Sequence, residues 1–138
     1  VSYFNCYPGH QSRTVVVGEP SKELVDTYKI HRDIYRATIN NCRPGARASD
    51  IYHFASNAFN DAGIEGKINI AGHGVGAWWH QQEPYMVPSG RHILEKGMVV
   101  ALEPHIGHWH LQDMVLITDG TPRLLSPLIS TDEMMVAG

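Results

Sequence analysis

The sequence predicts an α+β fold with a mostly antiparallel sheet, and three observations carry that expectation. A β-branched run, Val15-Val16-Val17, stands early in the chain. Two helix-period patterns follow, over 21–41 and 49–62. Several short apolar stretches then come close together, with turn residues between them and no crossover-length helix, which favours neighbouring antiparallel strands.

The elements follow in order. Residues 1–7 are rich in aromatic side chains and read as strand, and Tyr7-Pro8-Gly9-His10 reads as a turn. Arg13 to Val17 reads as a strand closed by Gly18. Ser21 is a natural N-cap, Glu23 suits the first turn, and Leu24, Tyr28, Tyr35 and Ile39 form an apolar line ending near Asn40-Asn41. Pro44-Gly45 breaks the chain. Ser49 is the expected cap of a second helix with Ile51, Phe54, Ala55, Ala58, Phe59 and Ala62 on one face and Gly63 just past its end. Lys67 to Ala71 is an expected short strand, 81–90 a polar loop, and Met98 to Leu102 and Leu111 to Thr118 are further strands. Asp119-Gly120 is a turn with 123–126 returning, and 127–138 is weakly patterned.

The chain has 138 residues, which suits one domain over 1–138. Its net charge is −3 with no Lys/Arg cluster, so no nucleic-acid partner is expected. No apolar run approaches the roughly 20 residues of a membrane helix, so no membrane partner is expected either. Neither a basic n-region nor a long apolar h-region opens the chain, and the expected location is cytoplasmic. It starts on Val1 inside a strand-like stretch, so an upstream beginning is expected. Cys6 and Cys42 have no metal spacing and fit either a disulfide or two reduced thiols.

The chemistry concentrates around Ala71-Gly72-His73-Gly74-Val75-Gly76-Ala77-Trp78-Trp79-His80. Glycine lets backbone or ligand approach closely, so His73 is presented with little cover. In a regular strand His73 and His80 would point to opposite faces, and only a bulge or bend lets them converge. Trp78 and Trp79 could line a pocket or pack into the sheet. Glu103 ends an apolar strand ahead of Pro104, a fixed position for a metal ligand, a general acid/base or a plain surface carboxylate. His105, His108 and His110 follow it, as first-row metal ligands or as a histidine-rich hairpin tip around Trp109. Gln112 hydrogen-bonds but cannot neutralise a cation, and Asp113 beside it can carry charge. His10 stands in the Pro-Gly turn. Arg13 suits a carboxylate anchor or a surface ion pair.

Taken together, several of these stretches resemble one family. They are Tyr7-Pro8-Gly9-His10-Gln11-Ser12-Arg13-Thr14, Arg43-Pro44-Gly45-Ala46, Gly72-His73-Gly74-Val75-Gly76 with His80, 94–104 ending in Leu102-Glu103-Pro104, and 111–118. They resemble the pita-bread metallopeptidases, which include methionine and Xaa-Pro aminopeptidases, prolidase and the creatine hydrolase. The resemblance implies the later portion of a pita-bread fold, with a further N-terminal part ahead of Val1. It puts His73 and Glu103 at metal-ligand and acid/base positions and His80 at the substrate contact, with Trp78, Trp79 and Arg13 as further substrate-binding candidates. It implies a divalent metal (Mn, Co, Zn or Fe), a small-molecule or short-peptide substrate, and a homodimer of the full-length protein.

The departures from the family are specific. His10 and Gln112 occupy two of its carboxylate ligand positions, and the first aspartate position would fall ahead of Val1. Two negative charges are lost from a site that two divalent ions would need. The resemblance then implies a hydrolase of a small C–N substrate, whether amide, peptide or guanidino-type, and without a cofactor if it is creatine-hydrolase-like. A metal-dependent Xaa-Pro peptidase, an altered mononuclear lyase and a catalytically inactive binding module are the alternatives.

Overall fold

The computed structural model describes residues 2–77 and 81–138; Val1, Trp78, Trp79 and His80 lie outside them. The described chain runs β1 (Ser2–Phe4), β2 (Tyr7–Gly9), β3 (Val15–Val17), α1 (Lys22–Asn41), α2 (Ala48–Asp61), β4 (Gly72–Gly74), β5 (Gln82–Met86), β6 (Val99–Leu102), β7 (Asp113–Leu116), β8 (Arg123–Leu124) and β9 (Met135–Ala137). The principal sheet has five strands in the order β5-β4-β6-β7-β8, all antiparallel. β1 and β2 form a separate hairpin, and β3 pairs in parallel with β9. The mixed but mostly antiparallel α+β arrangement is the one the element order predicts.

α1 starts where the sequence places it. The Ser21 hydroxyl accepts the Leu24 amide at 3.2 Å, and the helix buries Tyr28, Ile34, Tyr35 and Ile39. α2 departs from expectation at its start: its N-cap is Arg47, without a side-chain cap, and Ser49 lies inside the first turn. The reason is tertiary. The Ala48 amide donates to the His92 carbonyl at 2.8 Å and the Ser49 amide to Gly90 at 3.1 Å, so the orphan donors of the first turn are met by the 90–94 segment. The far end follows the sequence, with Ala62 as C-cap and Gly63 at φ 72°. Ile51, Ala55 and Phe59 are buried from the expected stripe, Phe54 and Ala58 are half-buried, and Ala62 is exposed.

Four further expectations are corrected. The first turn is Asn5-Cys6 rather than 7–10, because Phe4 pairs with Tyr7 and both turn residues take positive φ, 47° and 67°, as a two-residue hairpin requires. Residues 67–71 are not a strand; the strand is the Gly-His-Gly segment itself. The expected polar loop contains β5 in spite of Pro84, which an edge strand tolerates because its missing N–H faces no neighbour. The weakly patterned tail ends in β9, held against β3 by the Val15–Met135 to Val17–Ala137 register. One apolar core joins α1 and α2 to the sheet through Phe59, Ile68, Met86, Leu94, Val100, Leu102, Val115 and Ile117. Cys42 is buried in it and Cys6 is exposed, and both are free thiols. Among the described residues no helix is long and apolar enough to cross a membrane.

Candidate functional site

Strand register builds the site. His73 lies opposite Ala101, and Glu103, two residues on, leaves the same face of the sheet. Leu102 pairs with Asp113, so one step further Glu103 stands opposite Gln112. Gln112 in turn forms an antiparallel bridge with Ser12, and His10, two residues from Ser12, shares its face. Four chain segments thus bring His73, Glu103, Gln112 and His10 into one row. The irregularity expected in the Gly-rich stretch is present as a register shift between His73 and Gly74 on the β5 side. His80, Trp78 and Trp79 lie outside the described residues.

Glu103 is the hub. Its Oε1 is 3.5 Å from His73 Nε2. Its Oε2 accepts Gln112 Nε2 at 2.5 Å and lies 3.3 Å from His110 Nε2. An ionised carboxylate only accepts, so the Gln112 amide must turn its nitrogen towards it. His73 is fixed by its other nitrogen, Nδ1, which donates to the Gly74 carbonyl at 2.9 Å and leaves Nε2 facing the carboxylate. His10 lies against His73 with ring centroids 5.2 Å apart. Burial by itself would raise the Glu103 carboxyl, but the His110 hydrogen bond and the charges of His73, His110 and His10 outweigh it and hold it below the usual range. The glutamate therefore stays anionic through the neutral range.

Of the three histidines after Glu103, two reach it. His110 touches the carboxylate, and His105 stacks on His110 at 4.4 Å while its Nδ1 donates to the Glu103 carbonyl at 2.9 Å. His108 is exposed. The hairpin is moored on α1: Trp109 Nε1 donates to the Thr27 hydroxyl at 3.1 Å, and the buried His31 ring meets the Ile106 carbonyl at 2.9 Å.

Arg13, for which the sequence left a carboxylate anchor or an ion pair open, clamps Asp113 in a buried ion pair. Its Nη2 meets both Asp113 oxygens at 2.8 and 2.9 Å, and its other donors go to the carbonyls of Ser12, Gln112 and Ile129. A side chain only 7% exposed with all its nitrogens engaged has no fork left for a ligand. Tyr35 and Gln11, which complete this clamp, were invisible to sequence reading; the nearest signal was a tyrosine on the buried face of α1.

An antiparallel sheet presenting imidazoles and a carboxylate on one face, packed with two helices, is the pita-bread architecture. The chain belongs to metallopeptidase family M24, whose model matches residues 1–119. A probable dipeptidase PepE of Mycobacterium tuberculosis is 32% identical over 121 residues, 81% of this chain and 32% of its own length. An Xaa-Pro dipeptidase of Lactobacillus delbrueckii subsp. lactis is 35% identical over 101 residues, 72% of this chain and 27% of its own. A dipeptidase structure from Pyrococcus horikoshii superposes with a TM-score of 0.84 at 28% identity, over 96% of this chain and 38% of that one. The chain therefore spans about a third of the length of these relatives.

The family name implies metal, and the donor set does not fit a two-ion centre. The row offers one anion, Glu103, with His10 and Gln112, neither of them a carboxylate, beside it, and the Gln112 N–H group occupies a lone pair of that anion. Among the described residues no three His, Cys, Asp or Glu side chains group so that they could hold an ion.

Proposed function

We propose that the full protein hydrolyses a C–N bond in a small amide, peptide or guanidino-type substrate, using its own side chains for proton transfer in place of a dinuclear metal centre. The observation that carries this is Glu103 held anionic between His73 and His110, with the Gln112 amide donated to it. The relatives named as dipeptidases and Xaa-Pro dipeptidases make short peptides the first substrates to try.

In this reading Glu103 accepts a proton from the attacking water while the water oxygen bonds to the substrate carbon. The C–N bond then breaks, and the proton that Glu103 took from water passes to His73 Nε2, 3.5 Å away, and from there to the departing nitrogen. His73 Nε2 suits that exchange because its Nδ1 is tied to Gly74 and its tautomer is set. Gln112 steadies Glu103 without competing for its proton. His80, with Trp78 and Trp79 beside it, is assigned to substrate contact by the family resemblance.

The test uses the full-length protein on a panel of Xaa-Pro dipeptides, other dipeptides and guanidino compounds, with elemental analysis and chelation alongside. Turnover is expected to survive chelation and to fall about 10²- to 10⁴-fold in Glu103→Gln. One or two equivalents of a first-row metal, with chelation abolishing turnover, would overturn the metal-free mechanism. Neither metal nor turnover on any substrate would make the domain a binding module.

A further inference from the structure

Gln112 and Asp113 are consecutive residues in extended chain, so their side chains leave opposite faces. Gln112 points at Glu103. Asp113 points the other way and is completely buried. A carboxylate taken out of water there needs full compensation, and it has it. Arg13 Nη2 meets both oxygens, Gln11 Nε2 donates at 2.9 Å, and the Tyr35 hydroxyl donates from α1 at 2.7 Å. The same guanidinium reaches the Gln112 carbonyl through Nη1 at 2.9 Å and the Ile129 carbonyl through Nη2 at 2.7 Å. Between these contacts lies the double backbone bridge of Ser12 and Gln112, 3.0 Å in each direction. Burial and the Asp113 carboxylate push the Tyr35 phenol well up, so it remains a donor throughout the physiological range.

We propose that Arg13, Asp113 and Tyr35 form a positioning frame that locks the 10–13 segment to the start of β7 and so seats Gln112 on Glu103 and His10 on His73. This deepens the hydrolytic reading and rests on it. The three residues work from the far face of the strand and act only through the groups they hold. Bidentate pairing fixes the strand's rotation as well as its position, which a single hydrogen bond would not. The Tyr35 contact extends the frame to α1, so the helix and the site move as one body.

Two substitutions probe the frame with little change of volume. Tyr35→Phe removes one hydroxyl, and Arg13→Lys keeps the charge but loses the fork. In the full protein Tyr35→Phe is expected to lower kcat about tenfold with KM changed less than about twofold, and Arg13→Lys to lower it further. Coupling separates positioning from general support. In a Gln112→Ala background Tyr35→Phe should cost less than about twofold in kcat, because the seat it maintains is gone. Losses that multiply would overturn the proposal. A second readout needs no substrate: amide exchange at Ser12 and Gln112 should quicken about tenfold in Tyr35→Phe while exchange within α1 stays unchanged. Unaltered exchange at those two amides would also overturn it. If the unmodified protein hydrolyses nothing, the functional reading fails, and the exchange experiment still decides whether the frame exists.

Discussion

Gly74→Ala is the sharpest structural test of how His73 is presented. A Cβ built at residue 74 would stand 2.2 Å from the Glu83 carbonyl oxygen, 2.6 Å from its carbon and 2.9 Å from Pro84 Cδ. Those approaches fall about 1 Å short of ordinary contact. Two of the three atoms are backbone and the third belongs to a proline ring, so no side chain can rotate aside. Relief requires β5, an edge strand, to move outward, which strains the pairs Gly72–Met86, His73–Tyr85 and Gly74–Gln82. Overpacking of this kind costs about 2–3 kcal/mol. For a chain of this size that is a fall in Tm of about 6–12 °C. Gly97→Ala is the comparison. It meets nothing within 4 Å and carries only the strain of φ 89°, about 1 kcal/mol. Thermal unfolding followed by circular dichroism reads both. Because the Gly74 carbonyl holds His73 Nδ1, the same shift should turn the imidazole and reduce any turnover further. A Gly74→Ala protein melting within about 1 °C of the parent, or milder than Gly97→Ala, would refute the close-approach argument.

Glu103 has a folded carboxyl below its usual range, so its ionised form favours the fold, and that contribution is lost as pH falls through the acid region. Urea titrations from pH 7 down to pH 3 should show a steeper acid loss for the parent than for Glu103→Gln. Cys42 is pushed up to about 12 by burial, whereas Cys6 is exposed. A thiol reagent at pH 8 should label one cysteine in the native protein and two after denaturation. Ser21→Ala should lose about 1 kcal/mol with its N-cap bond, while Ser49→Ala should lose about 0.5 kcal/mol or less because no capping bond exists there, as urea midpoints will show.

The helices were legible because their signals are local. Ser21 and the Tyr28–Tyr35–Ile39 line act within a few residues of chain, and so does Gly63. The cap of α2 was misread because the donors of Ala48 and Ser49 are satisfied by a segment some 40 residues away, which no local pattern reports. β5 hid behind Pro84 for a similar reason: whether proline breaks a strand depends on which strand is at the edge. At the site, His73 and Glu103 could be named from the sequence because Gly-His-Gly and Glu-Pro are compact signatures, and His10 and Gln112 could be placed as departures by resemblance. The direction of the Gln112 amide, the choice of His110 over His108, and the closure of Arg13 on Asp113 all follow from strand register. Register is a relation among four separate segments, so single positions do not encode it.

The mooring of the 104–110 hairpin has its own consequence. Trp109 and Ile106 tie that turn to Thr27 and His31, so it cannot swing aside as a flap without tearing both fastenings from the helix. Among the described residues His110 stands beside that turn with its side chain 39% exposed, on the open flank of the Glu103 carboxylate. The 104–110 turn is therefore a fixed wall beside the carboxylate rather than a hinged cover.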